Sequence, residues 1–328
     1  MDVTSIFNQF AEKQVLVLGD VMIDAYMRGS VTRVSPEAPV PIVNLTKTEE
    51  RLGGAANVAL NLLALGAQPI LCSMVGSGAN GSLFRSLMDK RGLTLDGIIQ
   101  SDERKTTVKT RVIGNNQHLL RIDDEEVTSL TEHQENQVID RVNQFIGSID
   151  AVILEDYNKG VLTDRVIRAV IEMANKNDVL IAVDPKKDNF FSYENVTLFK
   201  PNLKELEEGL NVEFDLATDK ISFERAIDVL QEKLNNKISF VTLSEHGVFV
   251  QSSSNKSYIP AHIRTISDVS GAGDTVISVA TLCLAVGLAP QLIAEIANLS
   301  GGLVCEVSGV VPINKAQLME EMVKIIDA

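Results

Sequence analysis

The sequence predicts an α/β protein with a doubly wound, mostly parallel sheet, helices on both faces and a small β-sheet lid. Three observations carry that expectation. Short, apolar, β-branched runs at Gln14–Gly19, 69–75, Ala151–Glu155, 179–183 and 238–243 have the character of strands buried on both faces. Residues 55–64, 82–91, 131–145, 163–176 and 222–234 repeat apolar positions at helical spacing, so strand and helix alternate as in a doubly wound sheet. Two segments break the alternation. Residues 26–45 hold three prolines and an extended run at 40–45, and residues 106–121 alternate around Gly114-Asn115-Asn116. Both read as antiparallel strands. They are taken as lid segments, at about 25–46 and 104–122, inserted into one large domain; ordinary surface hairpins are the other reading.

With 328 residues and 45% apolar content, the chain can bury a full core. Its formal charge of −14 argues against nucleic acid or an anionic membrane as partner. The three cysteines, Cys72, Cys283 and Cys305, lie in apolar segments without a CxxC, as buried reduced thiols of a cytoplasmic protein do. The histidines show no metal spacing. No secretory signal is read at the start, and no apolar run reaches membrane-spanning length.

The most informative stretch is Asp268-Val269-Ser270-Gly271-Ala272-Gly273-Asp274-Thr275, ahead of an apolar helical run at 275–286. Small residues at a helix start expose backbone amides where the helix dipole favours an anion. A carboxylate there, Asp274, is misplaced electrostatically unless it works as a base, and anion hole plus base is what phosphoryl transfer to a hydroxyl requires. A packed, capped helix start is the alternative.

Gly53-Gly54-Ala55-Ala56-Asn57 opens another apolar helix. Its glycines admit a ligand or permit tight packing, and Asn57 in the first turn suits a polyol. Asn202 and Glu205 are three apart at a helix start; they suit hydrated Mg²⁺ or form a capping box. Gly76-Ser77-Gly78-Ala79-Asn80-Gly81 fits the dinucleotide G-x-G-x-x-G pattern, but the acid at the right distance, Asp102, lies in the polar run 101–105 and not at a strand end. Lys109 and Arg111, on one strand face, and Arg121 are candidates for a phosphate already on the substrate, or are solvated strand charges. Polar residues cluster at strand ends, where ligands of such folds bind: Asp20, Asp24, Asp156, Asp184, Asn202, Thr242 and Ser244.

Together these motifs resemble the PfkB, or ribokinase-like, family of carbohydrate kinases. The two glycine signatures, residues 53–57 and 268–275, match the family's, and Asn202/Glu205 matches its magnesium-associated N-x-x-E. The resemblance runs over essentially the whole chain. Within the family, residues 19–24 (GDVMID), 33–41 (RVSPEAPVP), 156–160 (DYNKG) and 184–186 (DPK) are similar to the kinase domain of bacterial enzymes that phosphorylate D-glycero-β-D-manno-heptose 7-phosphate at O1, on the route to ADP-heptose and lipopolysaccharide. Gly78 departs from the pattern, standing where many members carry an acidic residue.

The resemblance implies a fold, a reaction and a set of roles. Asp274 would be the base, and the amides of Gly271, Ala272 and Gly273 the anion hole. Asp24, Gly53, Gly54, Asn57 and Asp184 would bind the sugar, with Lys109, Arg111, Arg121 and Lys186 on its phosphate. Asn202, Thr242, Ser244, Gly247, Gly273 and Asn298 would line the nucleotide site, and Asn202 and Glu205 would organise Mg²⁺ through water. Asp268 and Ser270, with residues 305–309, are candidates for the K⁺ site of many members. ATP and a sugar phosphate are the expected partners, with a homodimer through the lid. No second, nucleotidyltransferase domain with its G-x-H-x-G-H motif is read in the chain. Another PfkB sugar or nucleoside kinase, a sensing protein on a kinase scaffold, and a nicotinamide enzyme are the alternatives.

Overall fold

The computed structural model describes residues 2–253, 255–262 and 264–326. Helix α1 (Val3–Phe10) precedes β1 (Gln14–Gly19), after which the chain leaves the main sheet for two long strands, β2 (Val21–Val34) and β3 (Pro41–Gly54). It returns through α2 (Ala55–Leu65), β4 (Gln68–Gly76), α3 (Ala79–Lys90) and β5 (Ile98–Ser101), then departs again for β6 (Thr107–Gly114) and β7 (Gln117–Asp124). The rest alternates: α4 (Glu132–Phe145), β8 (Ala151–Glu155), α5 (Asp164–Lys176), β9 (Leu180–Asp184), β10 (Leu198–Phe199), α6 (Leu203–Leu210), α7 (Lys220–Leu234) and β11 (Ile238–Thr242). An antiparallel pair, β12 (Val248–Ser252) and β13 (Asn255–Ile259), precedes α8 (Ala272–Ala285), α9 (Pro290–Cys305) and α10 (Lys315–Ile326).

The main sheet has nine strands in the order β13-β12-β11-β10-β9-β8-β1-β4-β5. All neighbours are parallel except β11–β12 and β12–β13. Successive side chains of one strand enter opposite layers. Val15, Val17, Ala151 and Ile153 pack with residues of α1, α2, α8, α9 and α10, whereas Leu16, Leu18, Val152 and Leu154 pack with α4, α5 and α7. Burial on both faces is why these strands read as unbroken apolar runs.

The smaller sheet has the order β3-β2-β6-β7. Its β6–β7 hairpin turns on Asn115 and Asn116, both with positive φ (52° and 65°), the backbone that a two-residue hairpin favours. Strands β2 and β3 run past the expected lid segment, from Val21 to Gly54. The charged stretch 47–51 hid that extension, because cross-strand pairs hold it: Asp24 lies opposite Arg51 and Tyr26 opposite Glu49. Helices α3 and α8 begin at Ala79 and Ala272, three residues before the expected 82 and 275. Their first turns are made of Gly, Ala, Asn and Asp and carry no apolar period.

The G-x-G-x-x-G pattern has a packing cause. A Cβ on Gly81 would stand 1.7 Å from the Gly76 carbonyl oxygen, and one on Gly76 2.4 Å from that of Arg104, whereas Gly78 has open space. Gly81→Ala is therefore expected to destabilise the fold by about 1–3 kcal/mol, as overpacking does. Gly78→Ala should stay within about 0.5 kcal/mol of the parent. Denaturant unfolding of both variants checks the contrast.

Candidate active site

The site lies where β1, β8 and β9 end beneath the start of α8. Gly271 adopts the left-handed conformation (φ 81°) that turns the chain into α8, leaving first-turn amides without intrahelical partners. One expected contributor is engaged: the Ala272 amide reaches the Val269 carbonyl at 3.3 Å. Asp274 is buried in this first turn. Its Oδ2 accepts from Asn57 Nδ2 and its Oδ1 from the Tyr157 hydroxyl, both at 2.7 Å. Burial pushes the Asp274 carboxyl above its ordinary value, and the two donors oppose that.

Helix α2 brings Asn57 to Asp274 through a second amide one turn on. Asn61 accepts from the Thr275 hydroxyl (3.1 Å) and the Ile313 amide (2.9 Å) and donates to the Asn57 carbonyl (2.9 Å). Asn57 Oδ1 is buried and meets no hydrogen-bond partner among the described residues, so it is free for a hydroxyl. The glycines before it answer to the protein itself. A Cβ on Gly53 would strike the Asp24 carboxylate at 2.1 Å; Gly54 has a positive φ (63°) and lies against the Asp20 carbonyl. Tight packing thus accounts for the pair.

The loop after β8 is anchored by Asp20, whose carboxylate accepts the backbone amides of Tyr157, Lys159 and Val161 at 3.0–3.1 Å. Beside it lies a charge cluster. Lys200, 2% exposed, meets Asp184 Oδ2 at 2.8 Å, while Lys186 meets Asp184 Oδ1 at 3.4 Å and also pairs with Glu205. Burial works against the Asp184 charge, but the two lysines hold its carboxyl below the ordinary range. Glu155, also buried, has an Oε2 without a partner among the described residues; burial, Asp184 and Asp274 push it well up.

Asn202 and Glu205 form a reciprocal capping box at the start of α6 (2.8 and 2.9 Å). The capping explanation therefore holds, and the second Glu205 oxygen faces Lys186. No group of three or more His, Cys, Asp or Glu suited to a metal occurs among the described residues; a divalent ion keeping several of its waters needs fewer protein ligands. With Glu155 pushed toward its neutral form, Asp184, Glu205 and Asp274 still outnumber Lys186 and Lys200, a charge balance that fits such an ion. Asp268 accepts the amides of Ser270 and Gly309 (2.9 Å each). It ties the loop before α8 to the 305–309 segment, whose Cys305 carbonyl accepts the Ser267 and Asp268 amides.

On the small-sheet side, the four expected phosphate ligands do not form one group. Arg111 pairs with the buried Asp24. Lys109 is taken by Asp123 (3.1 Å) and Glu125 (2.8 Å), and Arg121, 59% exposed, by Asp123 (2.9 Å). Lys186 stands with Asp184 and Glu205. Acidic residues spread through the same strands neutralise these cations, as an excess of acid over base would suggest. Of the four, only Arg111 lines a cleft of about 520 Å³ that also contains Tyr26, Arg28, His118, Asp268 and Ser270. Arg28, Arg51 and Arg111 surround the Tyr26 ring at 5.1–5.7 Å. Arg28 and Tyr26 share the strand alternation of Asp24, a signal the sequence carried. Tyr157, Asn61 and Lys200 had no such periodic cue.

Of the expected nucleotide residues, Thr242 ends β11, Ser244 and Gly247 follow it, and Asn298 lies on α9. Thr242 donates its amide to the Pro201 carbonyl (3.1 Å). Ser244 and Gly247 take positive φ (53° and 87°), and a Cβ on Gly247 would meet the Ile259 carbonyl at 2.0 Å. Asn298, on α9, is half-buried and donates to the Pro260 carbonyl (2.8 Å). No helix among the described residues is long and apolar enough to cross a membrane.

Comparison with known proteins shows the family and the fold. Residues 12–316 match the family model described as pfkB family carbohydrate kinase. The chain is 39% identical over 303 residues to the bifunctional protein HldE of Citrifermentans bemidjiense, covering 92% of this chain and 62% of that protein. It is 38% identical over 292 residues to HldE of Helicobacter pylori strain J99, covering 89% and 62%. The chain thus spans about three-fifths of the length of these curated relatives. Among solved structures, Escherichia coli phosphofructokinase-2 in complex with potassium is similar at TM-score 0.77 and 18% identity, covering 96% and 99% of the two chains. Arabidopsis thaliana ribokinase with ribose and ATP is similar at 0.71 and 16%, covering 94% and 98%.

The Lys200–Asp184 pair tests the electrostatics of this framework. Lys200→Met leaves a buried carboxylate with one partner fewer. Breaking a buried pair costs about 3–5 kcal/mol, and retention of Lys186 puts the expected loss at about 3 kcal/mol, measured by denaturant unfolding at neutral pH.

Proposed function

The chain belongs to the pfkB family of carbohydrate kinases, and from that premise we propose that it transfers the γ-phosphoryl group of ATP to O1 of D-glycero-β-D-manno-heptose 7-phosphate. The observation that carries the reading is the buried Asp274 carboxylate, held by Asn57 and Tyr157 at the amide-rich start of α8. The choice of heptose rests on kinship with HldE proteins and on the 19–24 and 33–41 segments.

In this reading Asp274 accepts the proton of the O1 hydroxyl as O1 bonds to phosphorus and ADP leaves. The Gly271 and Gly273 amides and the positive end of α8 offset charge on the transferring group, and Lys186 faces the same group. Asp24 and Asn57 hold the sugar. Its existing phosphate enters the cleft of Arg28, Arg111 and His118; Lys109 and Arg121, neutralised by Asp123 and Glu125, take no part. Thr242, Ser244, Gly247 and Asn298 line the nucleotide side. Bound Mg²⁺, organised through water by Asn202 and Glu205, supplies charge neutralisation on the ATP phosphates, and Asp268 and Ser270 are the candidate K⁺ site. The small sheet closes over the sugar and excludes water. Its outer strand β7 is exposed throughout, with Leu120 and Ile122 more than half exposed. We assign these apolar side chains to a homodimer contact and the protein to the cytoplasm.

Asp274→Asn should keep the fold and nucleotide binding but lose about 10²–10⁴-fold in rate; near-normal turnover would remove Asp274 as base. Because burial raises its carboxyl and only the charged form accepts a proton, activity should fall with decreasing pH through a limb lying above the ordinary aspartate range. Coupled ADP release across phosphorylated and free sugars tests the substrate. Equal turnover of unphosphorylated sugars would contradict the phosphate cleft and favour another sugar kinase.

A further inference from the structure

Tyr157 touches the proposed base directly, and three features immobilise it. Its backbone amide donates to Asp20 Oδ2 at 3.1 Å, within the triad of amides gathered by that one buried carboxylate. The Lys186 ammonium lies 5.6 Å from the ring centroid. Its hydroxyl donates to Asp274 Oδ1 at 2.7 Å. The opposite oxygen of Asp274 is held by Asn57, on a different element. The carboxylate is therefore clamped between α2 and the β8 loop, with neither donor belonging to α8.

Resting on the assignment of Asp274 as base, we infer that Tyr157 is a positioning residue for phosphoryl transfer, its hydroxyl holding the Asp274 carboxylate in its reactive orientation. The phenol stays a donor throughout the working pH range, since burial, Asp274 and Glu155 all push its ionisation well up. A donated hydrogen bond also favours the charged carboxylate. The charged groups around Asp274 are Glu155 and Asp184 at the strand ends, with Lys186 and Lys200 opposing them. Tyr157→Phe leaves these in place and keeps the ring face that Lys186 approaches, so it removes the hydroxyl alone.

The test compares parent, Tyr157→Phe and Asp274→Asn for nucleotide binding and for kcat and kcat/KM against pH with ATP and heptose 7-phosphate. In Tyr157→Phe the acid limb of kcat/KM should move up by about one pH unit, the scale of one hydrogen bond to a charged group. Its kcat should fall about tenfold or more through lost orientation, with nucleotide binding unchanged. Replacing Tyr157 by 3-fluorotyrosine, a stronger donor of nearly the same shape, should move the limb the opposite way and keeps the test open if the phenylalanine variant folds poorly. An unmoved limb in both variants, with Asp274→Asn inactive, overturns the role of Tyr157 alone. An active Asp274→Asn overturns the base assignment and this inference with it.

Discussion

The structure around the site depends on keeping one carboxylate buried at the positive end of a helix. Asp274 is out of water, and burial alone would protonate it. Two hydrogen bonds and the field of α8 oppose that outcome. Each brings in a separate part of the chain. Asn57 requires α2 to be locked against α8, which Asn61 does through Thr275 and Ile313. Tyr157 requires the loop after β8, which Asp20 holds by three amides.

The same constraint explains the lysines beneath the helix start. Asp184, held charged by its lysines, and Asp274 place negative charge in this region, which by itself would repel a nucleotide. Lys200 is buried on Asp184, and Lys186 bridges Asp184 and Glu205. The remaining acidic surplus suits a dication arriving with the nucleotide. The small sheet follows a parallel rule at its own scale. Most of its cations are matched by acids of the same or neighbouring strands, and on this side of the described residues Arg28 and Arg111 line the cleft beside Tyr26.

The main sheet was legible because its strands are buried on both faces, and burial leaves an apolar run. The start of α8 was legible because small residues, Gly271 to Gly273, stand directly ahead of an apolar run. What escaped were features held by long-range polar contacts. The far ends of β2 and β3 are charged, and nothing local marks them as strand. Lys109 looked free because Asp123 and Glu125, which neutralise it, come from the next strand and beyond it, while Arg121 pairs with Asp123 two positions on along its own strand. Asn202/Glu205 and Gly53-Gly54 had two readings each, and packing distances accounted for both through capping and close approach. Tyr157 sits between two aspartates' partners in space, a juxtaposition of residues over a hundred positions apart.

The most direct measurement is the chemical identity of the product. Phosphorus NMR of the protein with Mg-ATP and D-glycero-β-D-manno-heptose 7-phosphate should show ADP and a second sugar phosphate coupled to the anomeric proton, accumulating with the parent protein and not with Asp274→Asn. ADP formed without a phosphate on C1, or the same C1 product from Asp274→Asn at a comparable rate, would contradict the account.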